Sequence, residues 1–254
     1  MGTAERSNLY RPYVYLKMFV KGFLRHPGAG FVYSSLKYYR SWKEHLKADR
    51  NSVDDRLPWI SFYAIGFLER IVRPDMRVFE YGSGGSTLFW ADRVKEVVSV
   101  EHDRRWFNKL QEAIRRERIG NVRYILAEPE PDADNGGKDI SDPAAYVSDD
   151  PHYAGMNFER YVRTIDEYPE GYFDIVVVDG RARPSCIAHA EAKVKTGGRL
   201  IIDNTERPYY QSAVRAAGQQ WKTRIFGGPV PYIYHFSDTT ILQKMDKSQE
   251  KVKK

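Results

Sequence analysis

From residue 57 onward the apolar positions alternate between two rhythms. Short β-branched runs predict strands over 76–82, 96–103, 122–128, 172–180, 197–204, 222–226 and 239–244. Between them apolar residues recur at helical spacing, as in Trp106, Leu110 and Ile114. They predict helices over 59–72, 86–94, 105–118, 157–168, 185–195 and 210–220. The run over 172–180 is apolar at nearly every position, the pattern of a strand buried on both faces. Strands alternating with helices imply a doubly wound α/β fold, a mostly parallel sheet with helices on both faces.

Residues 1–56 break the alternation and predict an N-terminal helical extension ahead of the α/β domain over 57–245. Tyr13, Leu16, Val20 and Phe23 form one apolar stripe, and Lys17, Lys21 and Arg25 recur every four residues beside it. We read this stripe first as a face packed on the domain or over its cleft, with the basic side solvated. A helix lying on an anionic membrane surface is the second reading. Residues 128–152 hold eight acidic residues against one lysine, with few large apolar residues and many turn formers. That composition predicts a long loop, either a lid or a disordered segment. Residues 246–254 read as a frayed, lysine-rich tail.

Composition narrows the class. Of 254 residues, 42% are hydrophobic and 14% aromatic, enough for a packed core. The single cysteine, Cys186, precludes an internal disulfide and fits a reducing compartment. No apolar run is long enough to cross a bilayer and no cleavable leader pattern is present. A cytoplasmic protein is therefore expected, peripheral to the membrane under the second reading of the N-terminal helix. The net charge of +6 biases the chain toward acidic partners without choosing one. His102, His152, His189 and His235 lack the spacing of a zinc site.

The candidate chemistry begins in VFEYGSGGSTLFWA, residues 78–91, where Glu80, Gly82, Gly84 and Gly85 stand between a strand and a helix. Glycines there let a ligand approach the backbone where a Cβ would collide. The dinucleotide spacing G-x-G-x-x-G fails, because Thr87 stands at the third glycine position and Glu80 would repel a pyrophosphate. Glu101, ending the next strand, can accept both hydroxyls of a ribose. A turn without cofactor and a surface strand-end carboxylate are the plainer readings, but the pair of acids suits an adenosine-like ligand without phosphates.

FEYGSGGST followed by VVSVEHD resembles the class I S-adenosylmethionine-dependent methyltransferases over about residues 59–244. The resemblance implies S-adenosyl-L-methionine as cofactor and a seven-stranded sheet whose last strand, over 239–244, inserts antiparallel. It implies that Glu80, with Gly82, Ser83, Gly84, Gly85, Ser86 and Thr87, holds the methionine portion. It implies further that Glu101, with His102 beside it, binds the ribose hydroxyls, and that Ala127 and Glu128 border the adenine.

Acceptor groups belong at the carboxyl ends of the later strands. Asp179 is the candidate catalytic residue, orienting or deprotonating an acceptor hydroxyl. Asp179, Asp203 and Asn204 are hard oxygen ligands suited to Mg²⁺ or another divalent cation. The pattern partly resembles the cation-dependent catechol-type O-methyltransferases, but Gly180, Arg181, Ala182 and Arg183 follow where those enzymes carry a lysine, and the glycine turn is shorter. The alternative is that Asp203 and Asn204 cap a turn while Asp179 pairs with Arg181 or Arg183. Arg181, Arg183 and Arg207 are candidates for holding an anionic acceptor.

The expected activity is O-methylation of a small molecule or glycan. A nucleic-acid methyltransferase competes with it, weakened by the absence of an Asn/Asp-Pro-Pro-aromatic run after the fourth strand. A non-catalytic cofactor-binding protein at a membrane surface is the third class.

Overall fold

Seven strands make the main sheet of the protein, described from a computed structural model over residues 3–135, 137–218 and 221–246. They are β1 (Arg77–Tyr81), β2 (Glu96–Glu101), β3 (Val122–Leu126), β6 (Phe173–Val178), β7 (Val194–Ile202), β8 (Trp221–Pro229) and β9 (Phe236–Lys244). The short strands β4 (Glu130–Pro131) and β5 (Met156–Asn157) form a separate antiparallel pair. The order across the main sheet is β3-β2-β1-β6-β7-β9-β8. Strands β1, β2, β3, β6 and β7 pair in parallel, whereas β9 runs antiparallel to β7 and β8. The doubly wound sheet with an inserted antiparallel last strand is thus the architecture expected. Every residue of β6 is buried, as its unbroken apolar pattern requires. The chain leaves β1 toward one side of the sheet and β6 toward the other, which opens a crevice at their carboxyl ends.

Among the described residues eight helices flank the sheet: α1 (Thr3–Arg25), α2 (Ala29–His45), α3 (Phe62–Ile71), α4 (Gly85–Ala91), α5 (Arg104–Arg116), α6 (Glu159–Arg163), α7 (Arg183–Lys193) and α8 (Gln211–Gly218). The helix expected over 157–168 is only the five-residue α6 followed by a 3₁₀ turn. One core joins Phe79, Tyr81, Tyr161, Phe173 and Cys186. A second joins Val78, Phe89, Trp90, Phe226 and Ile241 with Tyr15, Phe31 and Trp42 of the two N-terminal helices. Trp42 is fully buried and its Nε1 donates to the Ile233 carbonyl at 3.0 Å.

Helix α1 packs on the domain as first read, but not through the stripe expected. Tyr13, Leu16, Val20 and Phe23 face outward, while Tyr15, Met18 and Phe19 pack against the domain. The inward contact is an aromatic seam. Tyr15 lies between Tyr39, Trp42 and Phe236 with ring centroids 4.8, 4.8 and 5.0 Å away, and its hydroxyl donates to the Ser35 carbonyl. A large flat ring with one satisfied polar end fills that space, and the other apolar stripe is left outside.

The acidic segment is built, not loose, where it is described. Ala145 and Val147 are buried, and the Phe158 N–H donates to the Tyr146 carbonyl at 2.8 Å. The expected tail lies, beyond Asp246, outside the described residues, as do 219–220 at the end of the last helix expected. No described helix is long and apolar enough to cross a membrane.

Candidate active site

At the end of β1 the chain turns through Gly82, whose φ of +89° is left-handed, and a Cβ there would meet Gly180 Cα at 2.8 Å. Only glycine meets both demands. The turn leads into α4, where the Gly84 N–H donates to Thr87 Oγ1 at 3.1 Å. Thr87 Oγ1 donates in turn to Glu80 Oε2 at 2.6 Å, and Ser99 Oγ to the same oxygen at 2.9 Å. Glu80 is buried beneath the turn, and burial pushes its carboxyl up to about 7 against the bonds from Ser86, Thr87 and Ser99. Glu80 and Thr87 therefore brace the turn from below.

Above it opens a cavity of about 650 Å³, a size suited to a small-molecule ligand. Gly82, Ser83, Gly84, Gly85 and Ser86 line one side together with Glu101 and His102. Asp179, Arg181, Arg183, Asp203, Asn204 and Arg207 line the other. Glu80, Thr87, Ala127 and Glu128 do not line it. Ala127 is buried, and Glu128 pairs with Arg104 at the surface.

The cofactor side fits an adenosine-bearing ligand. A Cβ on Gly84 would find nothing nearer than Trp106 Cζ2 at 3.9 Å, so the backbone there stands open to an approaching group. Glu101 Oε1 accepts from the His102 and Asp103 N–H groups at 2.8 and 2.9 Å, and Oε2 from Ser83 N and Oγ at 3.1 and 2.6 Å. Burial raises the Glu101 carboxyl, but these bonds and His102 outweigh it and hold the group below its ordinary range. It is a charged acceptor at the cavity wall, and the Ser83 hydroxyl can rotate away from it.

Sequence reasoning missed Asp103, Trp106 and Tyr153, which also line the cavity. Asp103 Oδ1 caps α5 by accepting from Arg105 N and Trp106 N, and Trp106 Nε1 then donates to the Ser83 carbonyl at 2.9 Å. The cap was legible as an aspartate just ahead of a helical pattern. Tyr153 carried no signal, because it reaches the cavity only through the path of the acidic segment.

On the acceptor side, Arg183 is the hub. Its Nη2 donates to Asp179 Oδ1 at 3.0 Å, its Nη1 to the Asp203 carbonyl at 2.5 Å and its Nε to the Gly180 carbonyl at 3.0 Å. Burial pushes the Asp179 carboxyl up to about 6, with Arg183 opposing the rise. The Asp203 carboxyl is driven higher still, by deeper burial and by Asp179.

These contacts do not suit the divalent-cation site. Asp203 Oδ1 accepts from Thr239 at 2.7 Å and Ser237 at 3.3 Å, and Asn204 Nδ2 donates to Ser237 at 2.9 Å. Asn204, at φ +55°, serves as a turn residue. A guanidinium already stands between the two aspartates, and no cluster of three or more His, Cys, Asp or Glu among the described residues is placed to hold a metal. The Mg²⁺ set expected at Asp179, Asp203 and Asn204 thus finds no support in these contacts.

The arginines divide. Arg183 is committed to the strand tips, whereas Arg181 pairs with Asp150 at 2.7 Å and Arg207 with Asp149 at 2.8 Å. Asp149 also accepts from Tyr209 at 2.6 Å and Tyr210 at 3.0 Å. The acidic segment is thereby clamped along the cavity wall.

No family model and no curated protein matches the sequence. Among solved structures, a methyltransferase from Geobacter sulfurreducens is similar at a TM-score of 0.49 and 12% identity, over 83% of this chain and 96% of its own. A Streptococcus mutans protein in complex with SAH is similar at 0.47 and 16%, over 71% and 95%. A tRNA (m1A58) methyltransferase from Aquifex aeolicus is similar at 0.47 and 12%, over 78% and 78%. Resemblance at this level concerns the path of the chain and passes on no substrate. By the order and directions of its own strands, the chain has the fold of the class I S-adenosylmethionine-dependent methyltransferases.

Proposed function

We propose that the protein is an S-adenosylmethionine-dependent methyltransferase acting on a hydroxyl of a small molecule or glycan. One observation carries the reading: the glycine turn and Glu101 face Asp179 across a single cavity at the point where the strand order reverses. When bound, the cofactor supplies an electrophilic methyl group. Gly84 would offer it open backbone, and Glu101 would accept its ribose hydroxyls once the Ser83 hydroxyl turns aside.

The chain's remaining task is to align the acceptor and manage its proton. Asp179 keeps about a quarter of its side chain (23%) exposed, and a carboxyl lifted toward neutrality is a usable base. Arg183 holds that carboxylate in place, and Arg181 and Arg207, each paired with an aspartate of the acidic segment, would meet an anionic acceptor by exchanging that partner. A screen of hydroxyl acceptors with methyl-labelled cofactor tests the reading. It fails if the purified protein neither binds the cofactor nor labels any acceptor.

A further inference from the structure

The outward face of α1 is apolar where a solvated helix is polar. Tyr10, Tyr13, Leu16, Val20, Phe23 and Leu24 are between 36% and 77% exposed, and they share one arc of the helix with the exposed Lys17 and Lys21. Single exposed apolar residues are ordinary, but a contiguous set marks a surface that meets something. On the adjacent α2, Tyr33 and Leu36 are exposed beside the exposed Lys37 and Arg40. Residues 1–47 hold nine Lys and Arg against two acidic residues, so the face is basic as well as apolar. It also leads to the cavity. Tyr10 packs on Tyr234 with ring centroids 6.1 Å apart, Tyr234 and Ile233 are exposed, and Ile233 lines the cavity with Trp59.

We infer that this face docks on an anionic lipid bilayer, with α1 lying in the interface and the Tyr234 edge of the cavity beside the membrane. Apolar side chains flanked by lysines match acyl chains beneath negative headgroups, and tyrosines favour that boundary. A second copy of the chain fits less well, because a two-fold contact through this arc would bring like charges together. The inference does not depend on the methyltransferase reading.

The test is co-sedimentation of the full chain with phosphatidylcholine vesicles, plain or with about 30% phosphatidylglycerol, at low and high salt. Wild-type protein is expected to partition at least about tenfold more strongly onto the anionic vesicles, and less so at high salt. Lys17→Gln with Lys21→Gln should cost about fivefold per lysine. Leu16→Glu with Leu24→Glu should abolish binding while circular dichroism and the thermal midpoint stay unchanged. Wild-type chain that stays in the supernatant, or a Leu16→Glu/Leu24→Glu protein that still sediments, overturns the inference. So does a wild-type dimer by light scattering that those two substitutions dissociate.

Discussion

The Arg183 guanidinium ties the carboxyl ends of β6 and β7 together, 3.0 Å from Asp179 Oδ1 and 2.5 Å from the Asp203 carbonyl oxygen. Removing it leaves the partly buried Asp179 and the buried Asp203 without their cation. Arg183→Met is expected to destabilise the fold by about 3–5 kcal/mol in urea unfolding. Arg183→Lys should recover only part of that, since an ammonium cannot span the fork. A Met variant within about 1 kcal/mol of wild type would show that the strand tips hold themselves.

Asp179 sets the pH dependence. Its proton must leave before it can act as a base, and its carboxyl sits at about 6, above the ordinary range. Turnover should therefore rise with pH through about 6 and fall away on the acid side. Asp179→Asn should lower kcat at least about a hundredfold and keep cofactor affinity within about threefold. Near-wild-type turnover in that variant would falsify the catalytic assignment.

The two acids near the turn should separate cleanly. Glu101→Ala is expected to weaken cofactor binding by about 1–3 kcal/mol in calorimetry, for the lost charge-assisted bonds. Glu80→Gln should leave that affinity within about threefold, because Glu80 braces the turn without reaching the cavity. Its signature is in stability. A carboxyl at about 7 in the fold, against 4.5 ordinarily, favours the native state at low pH and loses that contribution as pH rises toward 7. Thermal midpoints of Glu80→Gln should accordingly decline less between pH 5 and 8 than those of wild type, and equal declines would count against the buried-carboxyl account.

Chelation tests the expected metal site. With Asp203 and Asn204 turned to Thr239 and Ser237, excess EDTA should change turnover less than about twofold, and added Mg²⁺ should not raise it. Activity abolished by EDTA and restored by Mg²⁺ would reinstate the cation.

Asp149 should govern the acidic segment. Asp149→Asn removes the charge that Arg207 and two tyrosines hold, a loss of about 1.5–3 kcal/mol for the clamp but little for the whole domain. Amides over 144–152 are then expected to exchange with deuterium at least about tenfold faster. Unchanged exchange would mean that the buried Ala145 and Val147 order the segment without the clamp.

The alternation of strand and helix rhythms was enough to read the sheet, because a strand buried on both faces such as β6 can carry nothing but apolar residues. The glycine turn was equally legible, since Gly82 answers to a left-handed φ and a close approach at once. Position inside the turn was harder to read. Glu80 and Thr87 look alike whether they face ligand or core, and only the packing of α4 on β2 decides. The face of α1 was misread for a related reason. A helix with apolar residues on two sides has two candidate faces, and periodicity alone cannot say which one is buried. The pairing of Asp179 with Arg183 was legible as an alternative, but the partners of Arg181 and Arg207 were not, because Asp150 and Asp149 lie in a segment whose composition resembles a loop.

Strand β9 lies between β7 and β8, and the N-terminal helices rest on the same C-terminal strands through Tyr15, Phe31, Trp42 and Phe236. During synthesis, α1 and α2 emerge well before the strands they rest on, so their resting place exists only after residues beyond 221 have emerged. For that interval their aromatic inner faces stay exposed, the condition in which nascent chains aggregate or recruit chaperones. Contacts spanning so much of the chain also slow the search for the native pairing. Helices made before the strands they rest on are thus seated late, and whatever occupies them in the meantime competes with the completed sheet.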